Sequence, residues 1–319
     1  MMNITTLIPA YKPKYIPELL TSLRHQTRPS QRILISDDSP KGEFREVLFS
    51  ERMKPFTAGL NIDFIEGPRT GAYENVKHLI RQWNGSSELV HLMLDDDVCY
   101  PDFYERHLTV HASAQLSCSI SRRWTANEAG QPLVGQPAPL GVNRDGQRLV
   151  TLDNGVVVMT TVAECKNWFG EFSNCVMRAD TCYLLFKPQL GGVSYAGLWD
   201  LGYFVAASMQ APIGYIQDHL GYFRTGGTGN SSNFFGPFMK GAVLGYAALA
   251  LGCKRAGTIS PEQAHAAFKI IAGALNARYI SQDDMQPFCK ILPEMVTGEP
   301  GAEERFVAAW TVFQTANGF

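Results

Sequence analysis

The chain has 319 residues, of which 45% are hydrophobic and 18% are charged, and its formal net charge is -2. This composition is typical of a globular enzyme and excludes a disordered or fibrous chain. The nearly balanced charge gives no overall excess of positive charge that would attract nucleic acid, so we expect no nucleic-acid partner. The length exceeds that of one ordinary hydrophobic core, which predicts a large α/β domain with an appended subdomain.

The first part of the chain, to about residue 120, alternates short β-rich runs with helical patterns, which predicts βαβ units around a mostly parallel sheet. We expect strands at residues 4–8, 32–36, 61–65 and 89–94, and helices at residues 16–25 and 73–83. The fourth strand is almost wholly apolar, as in a central strand that is covered on both faces. Because open α/β sheets bind ligands at the carboxyl ends of their strands, the residues that follow these runs are candidate site residues.

The second half reads differently, because Gly and Pro are dense over residues 130–155 and predict loops with irregular β-structure. The elements expected after it are a helix over residues 197–210, a strand over 213–216 and a polar, Gly-rich loop over 224–233. From residue 238 onward the pattern is helical, and Pro261 behind Ser260 marks the start of a helix.

The seven cysteines are an odd number without a C-x-x-C pair, which predicts reduced thiols rather than disulfides or a zinc site. The first residues lack the pattern of a secretory signal. The most apolar long stretch, residues 239–253, is too short to span a bilayer. It is a buried helix or a helix on a membrane surface. We therefore predict a cytoplasmic protein without a transmembrane segment, with peripheral contact at the inner face of the membrane left open.

Three adjacent carboxylates, Asp95, Asp96 and Asp97, follow the fourth predicted strand. Such charges repel and raise one another's pKa unless a cation neutralises them. All-oxygen ligation favours Mg²⁺ or Mn²⁺ over zinc, and these ions are commonly held by one or two carboxylates plus substrate phosphate oxygens. The alternative is a solvated acidic turn in which Asp97 or Asp102 caps the next helix. The position at the end of a central strand favours the metal site.

Five short motifs occur in order over the first third of the chain. They are TTLIPAY at residues 5–11, LLTSLRHQT at 19–27, ISDDS at 35–39, RTG at 69–71 with Asn75, and LDDDVCYP at 94–101. Together they resemble the nucleotide-sugar glycosyltransferases of family 2, which have the GT-A fold, a Rossmann-like α/β architecture.

The resemblance implies roles for the residues of these motifs. Pro9, Ala10 and Tyr11 are expected at the nucleotide, Asp37 or Asp38 at the nucleobase, and Arg69 and Asn75 in a third loop near the nucleotide. Asp95 and Asp96 are expected to contact the donor. The motif at residues 94–101 matches the family's metal-binding DXD region, and we favour Asp96 or Asp97 as the metal ligand.

The later part of the chain resembles the family 2 glycosyltransferases at fewer positions. Leu198-Trp199-Asp200 resembles an acidic motif whose final carboxylate is the catalytic base in inverting members, although Trp199 stands where the family usually has Glu. This implies that Asp200 is the base, and the alternative is a helix N-cap. His219 and Arg224 resemble a late segment whose His completes the metal shell and whose basic groups meet the diphosphate. Their alternatives are a structural histidine and a surface ion pair.

Two further features stay open at this point. The loop over residues 225–232 either presents backbone N–H groups to a phosphate or is an ordinary surface loop. The aromatic residues that either stack on an acceptor sugar or belong to the core are Trp168, Phe169, Phe172 and Trp199.

The resemblance implies an inverting transfer of the hexosyltransferase type, dependent on Mn²⁺ or Mg²⁺, from a nucleotide diphosphate sugar, with a UDP-sugar as the commonest donor. The acceptor is expected to be a hydroxyl of a glycan, a lipid-linked molecule or a protein. The predicted domains are a GT-A catalytic domain at 1–236, with a nucleotide-sugar half at 1–120 and an acceptor half at 121–236, and a helical subdomain at 237–319. The alternatives are a sugar nucleotidyltransferase, whose Gly-rich loop is missing after the first strand, and a non-catalytic nucleotide-sugar-binding protein.

Overall fold

The computed structural model describes residues 2–143, 146–226 and 233–319. The chain forms two compact units. The first comprises Met1–Thr151, Phe169–Phe186 and Gln210–Thr225, and the second comprises Leu152–Trp168, Lys187–Met209 and Gly226–Phe319. The helical residues 237–319 belong to the second unit together with two earlier segments, and the predicted domain boundaries stay a prediction.

The strands are β1 (Ile4–Ala10), β2 (Arg32–Asp37), β3 (Ile62–Glu66), β4 (Leu89–Leu92), β5 (Val98–Cys99), β6 (Cys118–Ala126), β7 (Pro132–Gly135), β8 (Leu149–Leu152), β9 (Cys175–Arg178), β10 (Gln189–Leu190), β11 (Val193–Ser194) and β12 (Ile213–Arg224). The α-helices are α1 (Ile16–Arg24), α2 (Glu43–Leu48), α3 (Lys54–Thr57), α4 (Ala72–Trp83), α5 (Phe103–Ser113), α6 (Asn154–Thr160), α7 (Trp199–Ser208), α8 (Pro237–Arg255), α9 (Pro261–Tyr279), α10 (Gln286–Thr297) and α11 (Ala302–Asn317). The four strands and two helices expected before residue 100 are confirmed, with ends that differ by one or two residues.

The first unit is built on a sheet with the strand order β3-β2-β1-β4-β9-β6-β12-β5, in which β7 also pairs with β6 and β8 with β12. Strands β3, β2, β1 and β4 are parallel to their neighbours, so their carboxyl ends lie along one edge. Strand β9 is antiparallel to both β4 and β6, whereas β6 and β12 are parallel to each other. The predicted α/β class with a mostly parallel central sheet is confirmed.

Apolar periodicity explains the core of this unit. Leu19, Leu20 and Leu23 of α1 are fully buried and belong to one cluster with Ile33 and Ile35 of β2. Their helical spacing of three and four residues places them on one face, and the alternation in β2 turns both isoleucines to the same side of the sheet. Burial of this face holds α1 against the sheet, and the loop between β1 and α1 is thereby brought to the carboxyl edge.

Three histidines, His91, His107 and His111, are buried in the first unit at no more than 3% exposure. The His91 ring nitrogens contact the Tyr104 hydroxyl at 3.0 Å and the Ser173 carbonyl oxygen at 2.9 Å. Burial lowers the pKa of His91 and His111 to about 4 and that of His107 well below its ordinary value. These rings are therefore neutral in the folded protein at neutral pH.

We expect His111→Leu to reduce the loss of stability in acid. The unfolded chain protonates His111 near pH 6.5, whereas the folded chain does so near pH 4. Stability from the neutral ring is therefore full above about pH 6.5 and is lost as the pH falls toward 4. Urea unfolding at about pH 7.5 and about pH 4 should show the wild type losing about 3 kcal/mol relative to the variant.

The matched control is His25→Leu, because the His25 side chain is exposed. Its free energy of unfolding should follow that of the wild type at both pH values. Titration of the acidic residues is common to all three proteins and cancels in the comparison. An equal pH dependence in His111→Leu and the wild type would contradict the prediction.

The second unit owes its tight packing to glycines of α8. A Cβ atom at Gly245 would lie 2.7 Å from Leu198 Cβ, and one at Gly252 would lie 2.6 Å from the Leu190 carbonyl oxygen. Most of residues 239–253 are buried within this helix, which agrees with the burial interpretation. None of the helices in the described part of the chain combines the length and apolar character needed to cross a bilayer.

The predicted start of α9 is confirmed. Ser260 is its N-cap, and the Ser260 hydroxyl accepts a hydrogen bond from the Gln263 backbone N–H at 3.2 Å. The Gln263 side chain accepts one in return from the Ser260 N–H at 2.7 Å. This reciprocal pair is a capping box, followed by Pro261 at the first helical position.

One predicted element is wrong in its length. The strand expected over residues 213–216 continues as β12 to Arg224. Its middle contains the polar run Gln217, Asp218 and His219, and the pairing with β6 shifts register on both sides of His219. The polar run and the register shifts interrupt the alternation of apolar and polar residues from which the strand was predicted. Of the loop expected after the strand, residues 227–232 lie outside the described residues.

Candidate active site

Backbone hydrogen bonds join the loops at the carboxyl edge of the parallel strands. The Asp38 N–H donates to the Ala10 carbonyl oxygen at 2.9 Å, which links the loop after β2 to the end of β1. The Gly67 N–H donates to the Asp37 carbonyl oxygen at 2.8 Å, which links the loop after β3 to the end of β2. Three loops, of which the first and the last are more than fifty residues apart in the sequence, therefore form one edge.

The acidic triplet lies just beyond the end of β4. The chain is held there by the Leu94 N–H, which donates to the Ser173 hydroxyl at 3.1 Å. Asp95 and Asp97 are buried at 5% and 1% exposure, and the Asp96 side chain is 18% exposed. A solvated acidic turn would leave its carboxylates in water, so this alternative does not describe the triplet.

Asp95 ties the triplet to the loop after β1. Its Oδ2 accepts hydrogen bonds from the backbone N–H groups of Tyr11 and Lys12, both at 2.5 Å. Burial and then the charge of Asp96 raise the pKa of Asp95 to about 7, against the two N–H donors. Hydrogen bonds from N–H groups to a carboxylate are among the stronger ones in proteins, so this contact sets the position of the loop.

Asp96 and Asp97 face different partners. The Asp96 carboxylate forms an ion pair with the Lys12 ammonium. Asp97 Oδ1 accepts a hydrogen bond from the Arg224 backbone N–H at 3.1 Å. Asp97 Oδ2 is buried and has no hydrogen-bond partner within residues 2–143, 146–226 and 233–319. Burial and then the Asp96 charge raise the pKa of Asp97 to about 7, against a hydrogen bond from the Ser173 side chain to the Asp97 carboxyl group, the Arg224 N–H and the Arg123 charge.

Asp97 is the member of the triplet that best fits a divalent cation. A buried carboxylate oxygen without a partner is costly, and an oxygen-preferring ion such as Mg²⁺ or Mn²⁺ would satisfy it. In the described part of the chain, no three His, Cys, Asp or Glu side chains form a group that holds a metal by themselves. An ion held at Asp97 would take its other ligands from donor phosphates and water.

His219 lies on β12 and packs against an aromatic side chain. Its ring is stacked on Trp124, with ring centroids 4.0 Å apart and an interplanar angle of 15°. Burial and then the Arg122 charge lower the pKa of His219. A neutral imidazole can ligate a metal, but His219 joins no three-residue metal group among the described residues. Its role as a metal ligand stays a prediction.

Arg224 ends β12 directly beside the triplet. Its Nε donates to the Asp96 carbonyl oxygen at 2.9 Å, and its Nη1 donates to the Glu128 carbonyl oxygen at 2.6 Å. Its Nη2 donates to the Glu18 carboxylate and, at 3.2 Å, to the Tyr222 hydroxyl. The side chain is 3% exposed. The alternative of a surface ion pair is therefore wrong, because the guanidinium is buried in a hydrogen-bonded network.

The acidic pair after β2 divides into two different environments. Asp37 Oδ1 accepts from the Ser39 N–H at 2.9 Å, and its Oδ2 accepts from the Arg45 N–H at 2.9 Å. Both oxygens thus stabilise the turn into α2. Asp38 Oδ1 accepts from the Arg69 N–H, and burial raises the Asp38 pKa. Asp38 and Arg69 are therefore brought together across the two loops.

Asn75 makes structural hydrogen bonds at this edge. It is 1% exposed, its Oδ1 accepts from the Ser36 hydroxyl at 2.5 Å, and its Nδ2 donates to the Ser36 carbonyl oxygen at 3.2 Å. These contacts connect α4 to β2. Contact of Asn75 with a nucleotide stays a prediction.

Asp200 belongs to the second unit and is the second residue of α7. Its Oδ1 accepts a hydrogen bond from the Leu201 N–H at 2.7 Å. The N-cap of α7 is Leu198, so the alternative that Asp200 is the N-cap is wrong. A carboxylate in the first turn complements the helix dipole, and this is the structural role against which catalysis must be tested.

The aromatic candidates for stacking on an acceptor are all buried, as the core alternative predicted. The exposed fractions of Trp168, Phe169, Phe172 and Trp199 are 5%, 2%, 6% and 9%.

Lys12 was not identified from the sequence as a site residue. Its positive charge directly after the motif of residues 5–11 could have indicated an acidic partner. Ser173 was also not identified, because it is 79 residues away from its partner Leu94 along the chain and gave no local signal.

A largely parallel sheet with an acidic triplet at its carboxyl edge and a helical part in the second unit define an enzyme of the GT-A class. Residues 5–161 match the family model described as glycosyl transferase family 2. The chain therefore carries a family 2 glycosyltransferase domain, and the predicted family and enzyme class are confirmed.

Solved structures show the same fold. S. aureus TarS residues 1–349 matches with a TM-score of 0.60 and 12% identity, covering 100% of this chain and 92% of that chain. TarS 1–349 in complex with UDP matches with a TM-score of 0.55 and 13% identity, with the same coverage. The mannosyltransferase PcManGT from Pyrobaculum calidifontis, in complex with GDP-Man and Mn²⁺, matches with a TM-score of 0.51 and 12% identity over 98% of this chain and 86% of that chain. No curated protein matches the chain.

Proposed function

We propose that this glycosyltransferase moves a sugar, with inversion, from a nucleoside diphosphate to a hydroxyl group and depends on Mn²⁺ or Mg²⁺. The observation that carries the proposal is the buried Asp97 Oδ2, which has no hydrogen-bond partner among the residues that the structure describes, at the edge where three loops of the parallel strands meet. Ligands of open α/β sheets bind at this edge, and a carboxylate there can hold a cation together with substrate phosphates.

The donor is proposed to be a UDP-sugar or a GDP-sugar. Two of the neighbours named above are complexes, one with UDP and one with GDP-Man and Mn²⁺, and a TarS complex with UDP-GlcNAc matches with a TM-score of 0.52. Tyr11 is 53% exposed beside the Asp95 contact, so its ring is available to stack on a base. Asp38, Arg69, Asp95 and Asp96 complete the proposed donor site. Asp37 and Asn75 support it through the turn and helix contacts that they make.

In the proposed mechanism Asp200 accepts the proton of the acceptor hydroxyl while that oxygen attacks the anomeric carbon. The bond from this carbon to the diphosphate breaks on the opposite side, which inverts the configuration. When bound, the cation would offset the negative charge that develops on the leaving diphosphate. Asp97 would hold the cation, with Asp96 and His219 as the further proposed ligands, and Arg224 fixes the backbone that carries Asp96 and Asp97.

The acceptor is proposed to be a hydroxyl of a glycan, a lipid-linked molecule or a protein. The cytoplasmic location and contact with the inner face of the membrane stay predictions.

The experiment that tests the donor class is a thermal-shift screen of nucleotide sugars with and without Mn²⁺. A ligand present at about 100 times its Kd adds about 2.7 kcal/mol to the stability of the folded state, which raises the melting temperature. We expect one UDP- or GDP-sugar to raise it strongly with Mn²⁺ and much less without. No shift with any nucleotide sugar would contradict the proposal.

Two other experimental outcomes would replace the proposed function with a different one. Formation of a nucleotide sugar from a nucleoside triphosphate and a sugar phosphate would identify a nucleotidyltransferase. Binding of a nucleotide sugar without transfer or hydrolysis would identify a non-catalytic binding protein.

A further inference from the structure

Lys12 and Arg224 both contact the acidic triplet directly, and their hydrogen-bonding capacity differs. A guanidinium has five N–H donors, and the Arg224 donors already engage the Asp96 carbonyl, the Glu128 carbonyl, the Glu18 carboxylate and the Tyr222 hydroxyl. The guanidinium also lies over the Tyr15 ring, 4.3 Å from its centroid. One of the five donors remains, and the side chain is 3% exposed, so Arg224 would have to give up some of these contacts to present two donors to a diphosphate.

The turn at Gly130 packs closely against the Arg224 side chain. A Cβ atom at Gly130 would lie 2.7 Å from the Tyr222 hydroxyl and 3.3 Å from Arg224 Nη1, so the turn at Gly130 is closed over the guanidinium. The Arg224 N–H donates to Asp97. Arg224 therefore acts as a positioning residue that links the triplet to Glu18 at the start of α1 and to the turn at Glu128.

Lys12 has the capacity that Arg224 lacks. Its side chain is 39% exposed, and Asp96 is the one hydrogen-bond partner of its ammonium among the described residues. An ammonium has three donors, so two of them remain for a ligand. Burial lowers the Lys12 pKa, but Asp96 and the other two carboxylates raise it above its ordinary value, so the side chain is charged at neutral pH.

The backbone also holds Lys12 in place. Its N–H donates to Asp95 Oδ2 at 2.5 Å, and the next residue, Pro13, begins a short 3₁₀ turn. The proline ring restricts the backbone there, so the base of the Lys12 side chain is fixed beside the triplet. An ammonium is a compact point charge that suits phosphate binding.

We propose that Lys12 is the residue that binds the diphosphate of the donor, and that it reaches the phosphates while it remains paired with Asp96. This inference rests on the proposed function, because it assumes that a nucleoside diphosphate occupies the edge beside the triplet. It assigns to Lys12 the contact that the sequence resemblance had assigned to Arg224. Lys12 then bridges the negative charges of the protein and of the donor.

The test is calorimetric binding of UDP and GDP, in the presence of Mn²⁺, to the wild type, Lys12→Gln and Lys12→Arg. We expect Lys12→Gln to weaken binding of the preferred diphosphate by about 10-fold or more, the usual loss when a charged hydrogen bond is removed. Lys12→Arg keeps the charge and should recover most of the affinity. The matched control is Lys14→Gln, because Lys14 pairs with Glu128 and not with the triplet.

The phosphate-free nucleoside with the same base, uridine or guanosine, distinguishes binding from a loss of loop structure. If Lys12 contacts the diphosphate, Lys12→Gln leaves nucleoside affinity within about twofold of the wild type. Equal weakening of nucleoside and diphosphate, or equal effects of Lys12→Gln and Lys14→Gln, would overturn the inference. Failure of the wild type to bind either diphosphate would instead overturn the proposed function.

Discussion

Asp97→Asn is expected to lower sugar transfer by about 10²-fold or more, the scale of loss seen when a group that stabilises a developing charge is removed. The buried Oδ2 of Asp97 has no partner within the described ranges, so a bound cation is the group that would satisfy it. Asparagine retains the size of the side chain and one oxygen but removes its negative charge. Mn²⁺ affinity, measured by titration in the presence of a saturating nucleoside diphosphate, should fall together with activity.

The control for this prediction is Asp102→Asn. Asp102 lies five residues after Asp97, its side chain is 41% exposed, and it makes an ion pair with Arg106 at 3.3 Å. Its loss should change neither Mn²⁺ affinity nor turnover by more than about twofold, in line with the small energies of surface ion pairs. Unchanged Mn²⁺ affinity in Asp97→Asn would remove this residue from the metal site even if activity fell.

Asp200→Asn is expected to lower turnover by about 10²- to 10⁴-fold while donor binding persists, because a general base acts on the acceptor proton and not on the donor. The measurements are the turnover number at saturating substrates and the Kd of the nucleoside diphosphate. A donor Kd within about twofold of the wild type would separate loss of the base from loss of structure.

Glu262→Gln is the matched control for Asp200. Glu262 is the second residue of α9, as Asp200 is of α7, and each is an acid in the first helical turn. If Asp200 only complements its helix dipole, both variants should lose a similarly small amount of stability and no activity. Wild-type turnover in Asp200→Asn would exclude it as the base.

Local patterns in the sequence were sufficient for the first four parallel strands and for helices α1 and α4. The apolar run before Asp95 and the helical spacing of Leu19, Leu20 and Leu23 predicted β4 and α1, because each pattern depends only on near neighbours and on which face is buried. The order of the strand ends also predicted the position of the triplet. The length of β12 was not predictable, since its polar residues and register shifts depend on pairing with β6.

The sequence by itself determined which residues lie at the carboxyl edge and that Asp95, Asp96 and Asp97 lie among them. Only the tertiary structure decided how each one is used. Asp95 binds the Tyr11 and Lys12 backbone, Asp96 pairs with the Lys12 ammonium, and Asp97 keeps one buried oxygen without a partner in the described part of the chain. The physical reason is that adjacent carboxylates are chemically alike, and their burial and partners are set by groups far away along the chain.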